Sequence, residues 1–374
     1  METAILKSKE ERRLLRGHLW AYRNEFSQLP AMPDGALVDV VSDANRFIGR
    51  GFYQEEGGIG VRLLARKPKD IDQDFFTHRV HAALKYREQL FPGQNVYRWI
   101  HGESDRLPGL VADRFGPLVS VQSTCTFYLN WLDALGGAFL AADGVEGVRF
   151  EVAGQCRDFG TVTPEVTVEV DNMRLVVNLE RGQKTGMFLD QRENWLAMRP
   201  YVKGARVLDG YSYMGAWSCQ AALAGATSVL GVDTSARSIE MARRNAELNR
   251  VEGTCRFETA DVTEILGRGE KYDVIFLDPP ALAKTRAHLA RATGLYQAIN
   301  RDAMHALEPG GYLVTSSCSH HVDLPAFVEV LKRAARAAQR EVWVLEVRGA
   351  ARDHPVLFSM PETAYLKNVT LRVF

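Results

Sequence analysis

From about residue 205 to 319, short β-type runs alternate with helical stretches, and this alternation restricts the possible folds more than any other feature of the chain. The runs are "ARVLDG", "SVLGVD", "CRFETAD", "YDVIFLDPP" and "GGYLVTSSCS". Most have apolar centres, as strands covered on both faces require. Helical patterns fill the intervals at 217–223, 236–248, 262–266 and 289–307. Strand alternating with helix predicts a parallel sheet with helices on both faces, a Rossmann-like α/β fold whose ligands sit beyond the carboxyl ends of the strands. Asp209, Asp233, Asp261, Asp278 and Cys318 all stand at such ends.

The preceding residues have a different character. At 374 residues the chain exceeds one small core. Residues 35–65 give short β-type runs broken by the turn signals Asp43-Ala44-Asn45 and Glu56-Gly57-Gly58, which predicts a small β-rich module. Before it, Lys7, Lys9, Arg12, Arg13, Arg16 and Arg23 interleave with Trp20 and Tyr22. Such a mixture suits RNA, through phosphate contacts and base stacking, and equally suits a solvated helix face beside a buried tryptophan. Residues 66–72 read as a linker followed by a helix, and 96–169 as a second α+β unit. In "TVTPEVTVEVDNMRLVVNL", Asp171-Asn172 lies between two β-type runs and predicts a hairpin. The expected domains are 1–72, β-rich; 73–178, α+β; and 179–374, the parallel α/β sheet.

The 46 Lys and Arg cancel the 46 Asp and Glu, so only local basic patches can argue for a nucleic-acid partner. Cys125, Cys156, Cys219, Cys255 and Cys318 are odd in number and contain no CxxC pair. Neither a disulfide framework nor a metal site is expected, and a reducing cytoplasm fits best. The first residues have no apolar signal core, and no membrane segment is expected.

A single Asp at a strand end is often the cap of the next helix; four on consecutive strands suggest a ligand. Asp233 stands where an acid holds ribose hydroxyls in nucleotide folds. The first turn, "DGYSYMG", lacks G-x-G-x-x-G, and Tyr211, Tyr213 and Met214 occupy the space where backbone would meet a pyrophosphate. An adenosyl ligand without phosphates fits better, and S-adenosylmethionine is one. Asp233 would then hold the ribose and Asp261 the adenine amine, with Asp278 near the methionine end and the turn packed around the ligand. In "LDPP" two prolines fix the backbone after the strand, so that Asp278 can be aimed at an amine-bearing base.

Cys318 completes this chemistry. Cytosine C5 is a poor nucleophile until a thiolate adds to C6; C5 then takes the methyl group, a base removes its proton, and the thiolate leaves. A cysteine on the strand end beside D-P-P suits that step, with His320 or His321 able to lower its pKa. The other cysteines read as buried small hydrophobes or as lying outside this domain.

"GQKTGMFLDQRENW", "LDGYSYMGAWS", "VDTSARSIEMARRNAELN", "FLDPPALAK", "GGYLVTSSCSHH", "DHPVLFSMPETAYLK" and "GESDRLPGLVADRFG" together resemble the bacterial 23S ribosomal RNA 5-methylcytosine methyltransferases of the RlmI type, over nearly the whole chain. The resemblance implies an N-terminal PUA domain, a central α+β domain, a class I S-adenosylmethionine-dependent methyltransferase domain and a possible homodimer. It implies Cys318 as nucleophile, Asp278 as its partner, and Asp233 and Asp261 as cofactor carboxylates, with Phe188, Asp190 and Gln191 of "FLDQR" over the cofactor. On its own, Asp190 reads as a helix cap. Asp209, Tyr211, Ser212, Tyr213, Met214, Gly215, Thr234 and Val262 complete the expected cofactor site. Arg12, Arg13, Arg16, Lys184 and Lys284 are the expected RNA contacts. The chain departs from the family pattern at Tyr211, Met214 and Ala216 in the first turn, in "TGLYQAIN", and at Asn368 after "YLK". The alternatives are methylation of another base in ribosomal RNA, or a non-catalytic RNA-binding or ribosome-assembly protein.

Overall fold

The computed structural model describes residues 1–180, 182, 185–283 and 289–374. They fall into two compact units, Met1–Val166 with Val177–Leu189 and Arg352–Thr363, and Thr167–Val176 with Asp190–Ala351 and Ala364–Phe374.

The first unit contains two sheets. One comprises β1 (Glu2–Leu6), β2 (Trp20–Tyr22), β3 (Phe26–Gln28), β4 (Leu37–Val41), β5 (Phe47–Tyr53) and β6 (Ile59–Ala65), ordered β2-β6-β5-β4-β1-β3. Helix α1 (Glu11–Leu15) lies between β1 and β2 in the chain and carries Arg12 and Arg13. Leu14 buries against Ala4, Val38 and Val61, and Met360 from the C-terminal segment of this unit joins the same core. The other sheet comprises β7 (Val96–His101), β8 (Leu110–Phe115), β9 (Leu118–Ser123), β10 (Gly147–Val152) and β11 (Gln155–Gly160), ordered β11-β10-β9-β8-β7. It packs with α2 (Gln73–Leu90) and α3 (Leu132–Leu140). Asp72 starts α2 by accepting from the Phe75 amide at 2.8 Å, and Phe76, Val80 and Ala83 follow at helical spacing on the buried side. Arg87, also on α2, is fully buried and makes a paired contact with Asp105 at 2.6 and 2.8 Å. Its remaining bonds go to the Arg98 carbonyl and, at 2.7 Å, to the Asp353 carbonyl. Each charge therefore has a partner, which burial demands.

β12 (Glu165–Val170) and β13 (Met173–Asn178) form the hairpin expected at Asp171-Asn172. Asp171 takes a left-handed φ of 56°, which a short polar side chain tolerates.

The second unit is built on β14 (Arg206–Gly210), β15 (Ser228–Asp233), β16 (Cys255–Thr259), β17 (Tyr272–Leu277), β18 (Leu307–Ser317), β19 (Val342–Arg348) and β20 (Lys367–Val373). Their order is β16-β15-β14-β17-β18-β20-β19, with β14 to β18 parallel and β20 antiparallel to both neighbours. The helices of this unit are α4 (Arg192–Ala197), α5 (Arg199–Val202), α6 (Ala216–Leu223), α7 (Ala236–Leu248), α8 (Val262–Gly267), α9 (Leu289–Ala306) and α10 (Leu324–Ala338). Chain order runs outward from β14 to β16 on one side and from β17 on the other, so the sheet has its switch point between β14 and β17. All five expected strands are present. Helix α10 and strands β19 and β20 were not anticipated. Among the described residues no helix is long and apolar enough to cross a membrane.

Candidate active site

The turn after β14 is strained. Tyr211 and Tyr213 have φ of 66° and 47°, a region where a side chain costs roughly 1 kcal/mol or more. The surroundings enforce it: the Ser212 amide donates to the Val232 carbonyl at 2.9 Å, and the Tyr213 amide to Asp233 Oδ2 at 3.0 Å. Met214 is buried, and its carbonyl accepts from Asn245 Nδ2 at 2.9 Å. Gly215 follows at φ 79°, where an added Cβ would stand 2.9 Å from that of Ala242. Ser212 Oγ is buried with no hydrogen-bond partner among the described residues. An orphaned hydroxyl on a strained turn marks a place for a ligand.

The acids divide by environment. Asp233 closes β15 and also accepts from the Ser235 amide at 2.9 Å, which fixes the carboxylate and leaves further lone pairs. Thr234 is exposed beside it, and Ser235 caps α7. Asp261 is exposed and caps α8 through Oδ1, accepting from the Thr263 amide at 2.8 Å; Val262 packs beneath in the core. Asp209 is enclosed and accepts from Ser218 Oγ at 2.5 Å. Burial pushes its carboxyl up to about 7, opposed by the Ser218 bond and reinforced by Asp278 and Asp233. Fully enclosed and bonded to Ser218 of α6, Asp209 ties β14 to that helix and has no surface open to a ligand.

Asp278, at the end of β17, is gripped from two sides. Gln191 Nε2 donates to its Oδ1 at 2.9 Å and Trp217 Nε1 to its Oδ2 at 3.3 Å. Gln191 Nε2 also reaches Ser316 Oγ at 3.1 Å, and that oxygen accepts from Asn368 Nδ2 at 2.9 Å. Asn368, where the family pattern has glycine, therefore braces the end of β18. Asp190 is not a helix cap; its Oδ2 accepts from the Tyr365 hydroxyl at 2.6 Å. The segment "FLDQR" thus supplies Gln191 and Asp190 to the second unit, while Phe188 belongs to the first.

Cys318 follows β18, partly exposed, with Sγ 3.9 Å from the Pro279 carbonyl of the D-P-P turn. Among the described residues, a buried cation in electrostatic contact with it is Lys367, at the start of β20, which sequence reasoning missed. Its Nζ donates to the Ser319 and Tyr365 carbonyls, both at 2.8 Å. Burial lowers its pKa to about 8, against the raising effect of Cys318 and Asp323. The signal lay in "YLK": a lysine in period-two step with the buried apolar Val369, Leu371 and Val373 of its strand. His320 and His321 are exposed, the His320 ring standing 5.6 Å from that of Tyr365. Cys125, Cys219 and Cys255 are buried, and burial raises all three thiols, Cys255 to about 12. Their thiolates are suppressed at neutral pH.

Of the expected RNA contacts, Arg12 and Arg13 lie on α1 and Arg16 caps its end. Lys184 and Lys284 lie outside the described residues.

The turn, the orphaned Ser212 hydroxyl, Asp233 and Asp261 sit at the ends of β14, β15 and β16, on one side of the switch point, and suit a phosphate-free nucleoside ligand. Comparison with known proteins agrees. The profile of the S-adenosylmethionine-dependent methyltransferases matches residues 147–363, and that of the PUA-like domain residues 4–66. The ribosomal RNA large subunit methyltransferase I of Salmonella gallinarum is 35% identical over 99% of this chain and 97% of its own. Its namesake from an Escherichia coli strain is 35% identical over 99% and 98%. A methyltransferase crystallised with SAH superposes with a TM-score of 0.89 at 21% identity, covering all of both chains. The methyl donor is S-adenosylmethionine, and the chain belongs to the family of the ribosomal RNA large subunit methyltransferases I, within the S-adenosylmethionine-dependent methyltransferases.

Proposed function

We propose that this protein methylates C5 of a cytosine in large-subunit (23S) ribosomal RNA, in the cytoplasm, with Cys318 as the nucleophile. The observation that carries this reading is the Cys318 sulfur beside the D-P-P turn, 3.9 Å from the Pro279 carbonyl, on the strand next to Asp278. The names of the relatives supply the RNA class.

Bound S-adenosylmethionine supplies an electrophilic methyl group. Asp233 would hold the ribose, Asp261 the adenine edge, and the Ser212 hydroxyl would gain the partner it lacks. Asp278, fixed by Gln191 and Trp217, would meet the cytosine N4 amine. The Cys318 thiolate would add to C6, the electron pair would move to C5, and C5 would take the methyl carbon as that carbon's bond to the sulfonium sulfur breaks, leaving S-adenosylhomocysteine. Loss of the C5 proton to a base then expels the thiolate and restores the ring. Lys367 acts as a positioning residue: its charge favours the thiolate, and its two carbonyl bonds hold Ser319 and the backbone around Cys318.

The test is nucleoside mass spectrometry of hypomethylated ribosomal RNA after incubation with the protein and isotopically labelled S-adenosylmethionine. Label in 5-methylcytidine is expected. Label in any other nucleoside removes the nucleophilic role of Cys318, and no label on either naked RNA or immature subunits points to a binding protein.

A homodimer is the second part of the proposal. Edge strand β19 exposes Trp343, Val344 and Val347 as well as its unpaired backbone edge. Sedimentation velocity should read twice the mass of one chain, and Trp343→Glu should return the monomer.

A further inference from the structure

The motif "DHPVLFSMPETAYLK" contributes Tyr365 and Lys367 to the active site, which leaves Phe358 unexplained. Phe358 is 102% exposed, the most exposed large hydrophobic residue described. Solitary surface hydrophobes are ordinary, but a whole phenyl ring in water on a fixed backbone is not. The backbone here is fixed from both sides. Met360, two residues on, is fully buried in the core beneath α1, and its sulfur accepts from the Leu19 amide at 3.3 Å. Leu357 packs partly against the same core, and its amide donates to Thr363 Oγ1 at 2.9 Å. Ser359 lies so close to Gly17 that a Cβ there would come within 2.4 Å of its hydroxyl. The ring is therefore held out by an anchored loop.

What surrounds it is cationic. Phe358 and Ser359 line an open cavity of about 540 Å³ together with Lys9, Glu10, Arg12, Arg13 and Arg16. Arg13 is committed to Glu25 at 2.7 Å and lies over the Tyr22 ring. Lys9, Arg12 and Arg16 are exposed and make no side-chain hydrogen bond or ion pair among the described residues. Lys9 precedes α1 in a left-handed conformation, φ 73°, which turns the chain sharply there. Four cations against one acid, around a free aromatic face, match what an unpaired nucleotide presents: a flat base to stack and phosphates on either side.

We propose that this cavity binds a single-stranded stretch of the RNA substrate, one unpaired base stacking on Phe358 and the flanking phosphates meeting Lys9, Arg12 and Arg16. The site deepens the RNA reading above and rests on it. It adds a residue 342 positions beyond Arg16 to the PUA-like surface. It also makes that surface selective for unpaired RNA, because a base within a duplex offers no free face to the ring.

The experiment uses the full chain and fluorescently labelled ribosomal RNA oligonucleotides, each as a single strand and annealed to its complement. Phe358→Ala is expected to weaken single-strand binding about five- to a hundredfold and to leave duplex binding nearly unchanged. Phe358→Trp should restore affinity. Arg12→Gln with Arg16→Gln should flatten the dependence of log affinity on log salt by about 0.7 per lost contact. With substrate RNA, Phe358→Ala should raise KM and spare kcat. Single-strand affinity within twofold of wild type for Phe358→Ala, in a protein that methylates RNA, would overturn the proposal and assign the ring to a protein contact. Absence of RNA methylation by the wild-type chain would instead defeat the functional reading on which the site rests.

Discussion

Cys318→Ala is expected to lower methyl transfer at least about a thousandfold while S-adenosylmethionine affinity, measured by calorimetry, stays within about twofold. The argument is positional. The residues assigned to the adenosyl part of the cofactor sit on the turn after β14 and at the ends of β15 and β16, whereas the sulfur lies beyond β17, against Pro279. A folded variant that loses cofactor affinity would make the thiol structural. The companion variant is Lys367→Met. The lysine is held near pKa 8 by burial, so its charge fades just as a thiolate would otherwise accumulate. The wild-type kcat profile should fall on its alkaline side near that value. Removing the charge should abolish the fall, shift the acid limb upward and lower the maximum roughly tenfold. Among the described residues the charged groups facing this lysine are Cys318 and Asp323, and neither cancels that order of events. A profile unchanged in shape would leave Lys367 as a mere strut.

The second large effect concerns stability. Asp209 rises from 3.8 to about 7 because it is enclosed, so the folded state holds its proton more tightly than the unfolded chain does. Its contribution is complete below the unfolded value and is lost as pH rises through about 7. Asp209→Asn removes that titration and retains an acceptor for Ser218. The variant should match wild type near pH 4 and exceed it at pH 8. Between pH 5 and 8 the gap should widen by about 3 kcal/mol, or roughly 6 to 12 °C in Tm for a domain of this size. Parallel melting curves across that range would mean that the carboxylate is solvated.

The alternation of strand and helix from β14 to β18 was legible because strands covered on both faces must be apolar and their ends must turn. The acids and Cys318 could therefore be placed at one edge of the sheet before any coordinate was known. Strand β19 was not legible, since Trp343, Val344, Leu345 and Val347 are exposed and the strand has no inward face to impose alternation. Strand β20 escaped because it returns antiparallel, without the helix that announces the others. The same gap hid Lys367, whose meaning depends on which strand end it faces. Asp261 illustrates the opposite case. The cap and the ligand acid were alternatives in sequence, but in the structure one oxygen caps α8 while the side chain stays open. Gln191 could be named from the motif, yet its bonds to Asp278 and Ser316 reach 87 and 125 positions along the chain.

The division of the chain into interleaved units has a consequence for how the protein is made. The first unit includes Arg352–Thr363, so its fold cannot close while the ribosome is still translating the second. The buried Arg87 guanidinium waits for the Asp353 carbonyl, and the core under α1 waits for Met360. Synthesis at about 5–20 residues per second leaves an interval of many seconds in which an N-terminal module stands open. Expression of residues 1–166 alone should accordingly yield an unfinished and aggregation-prone fragment.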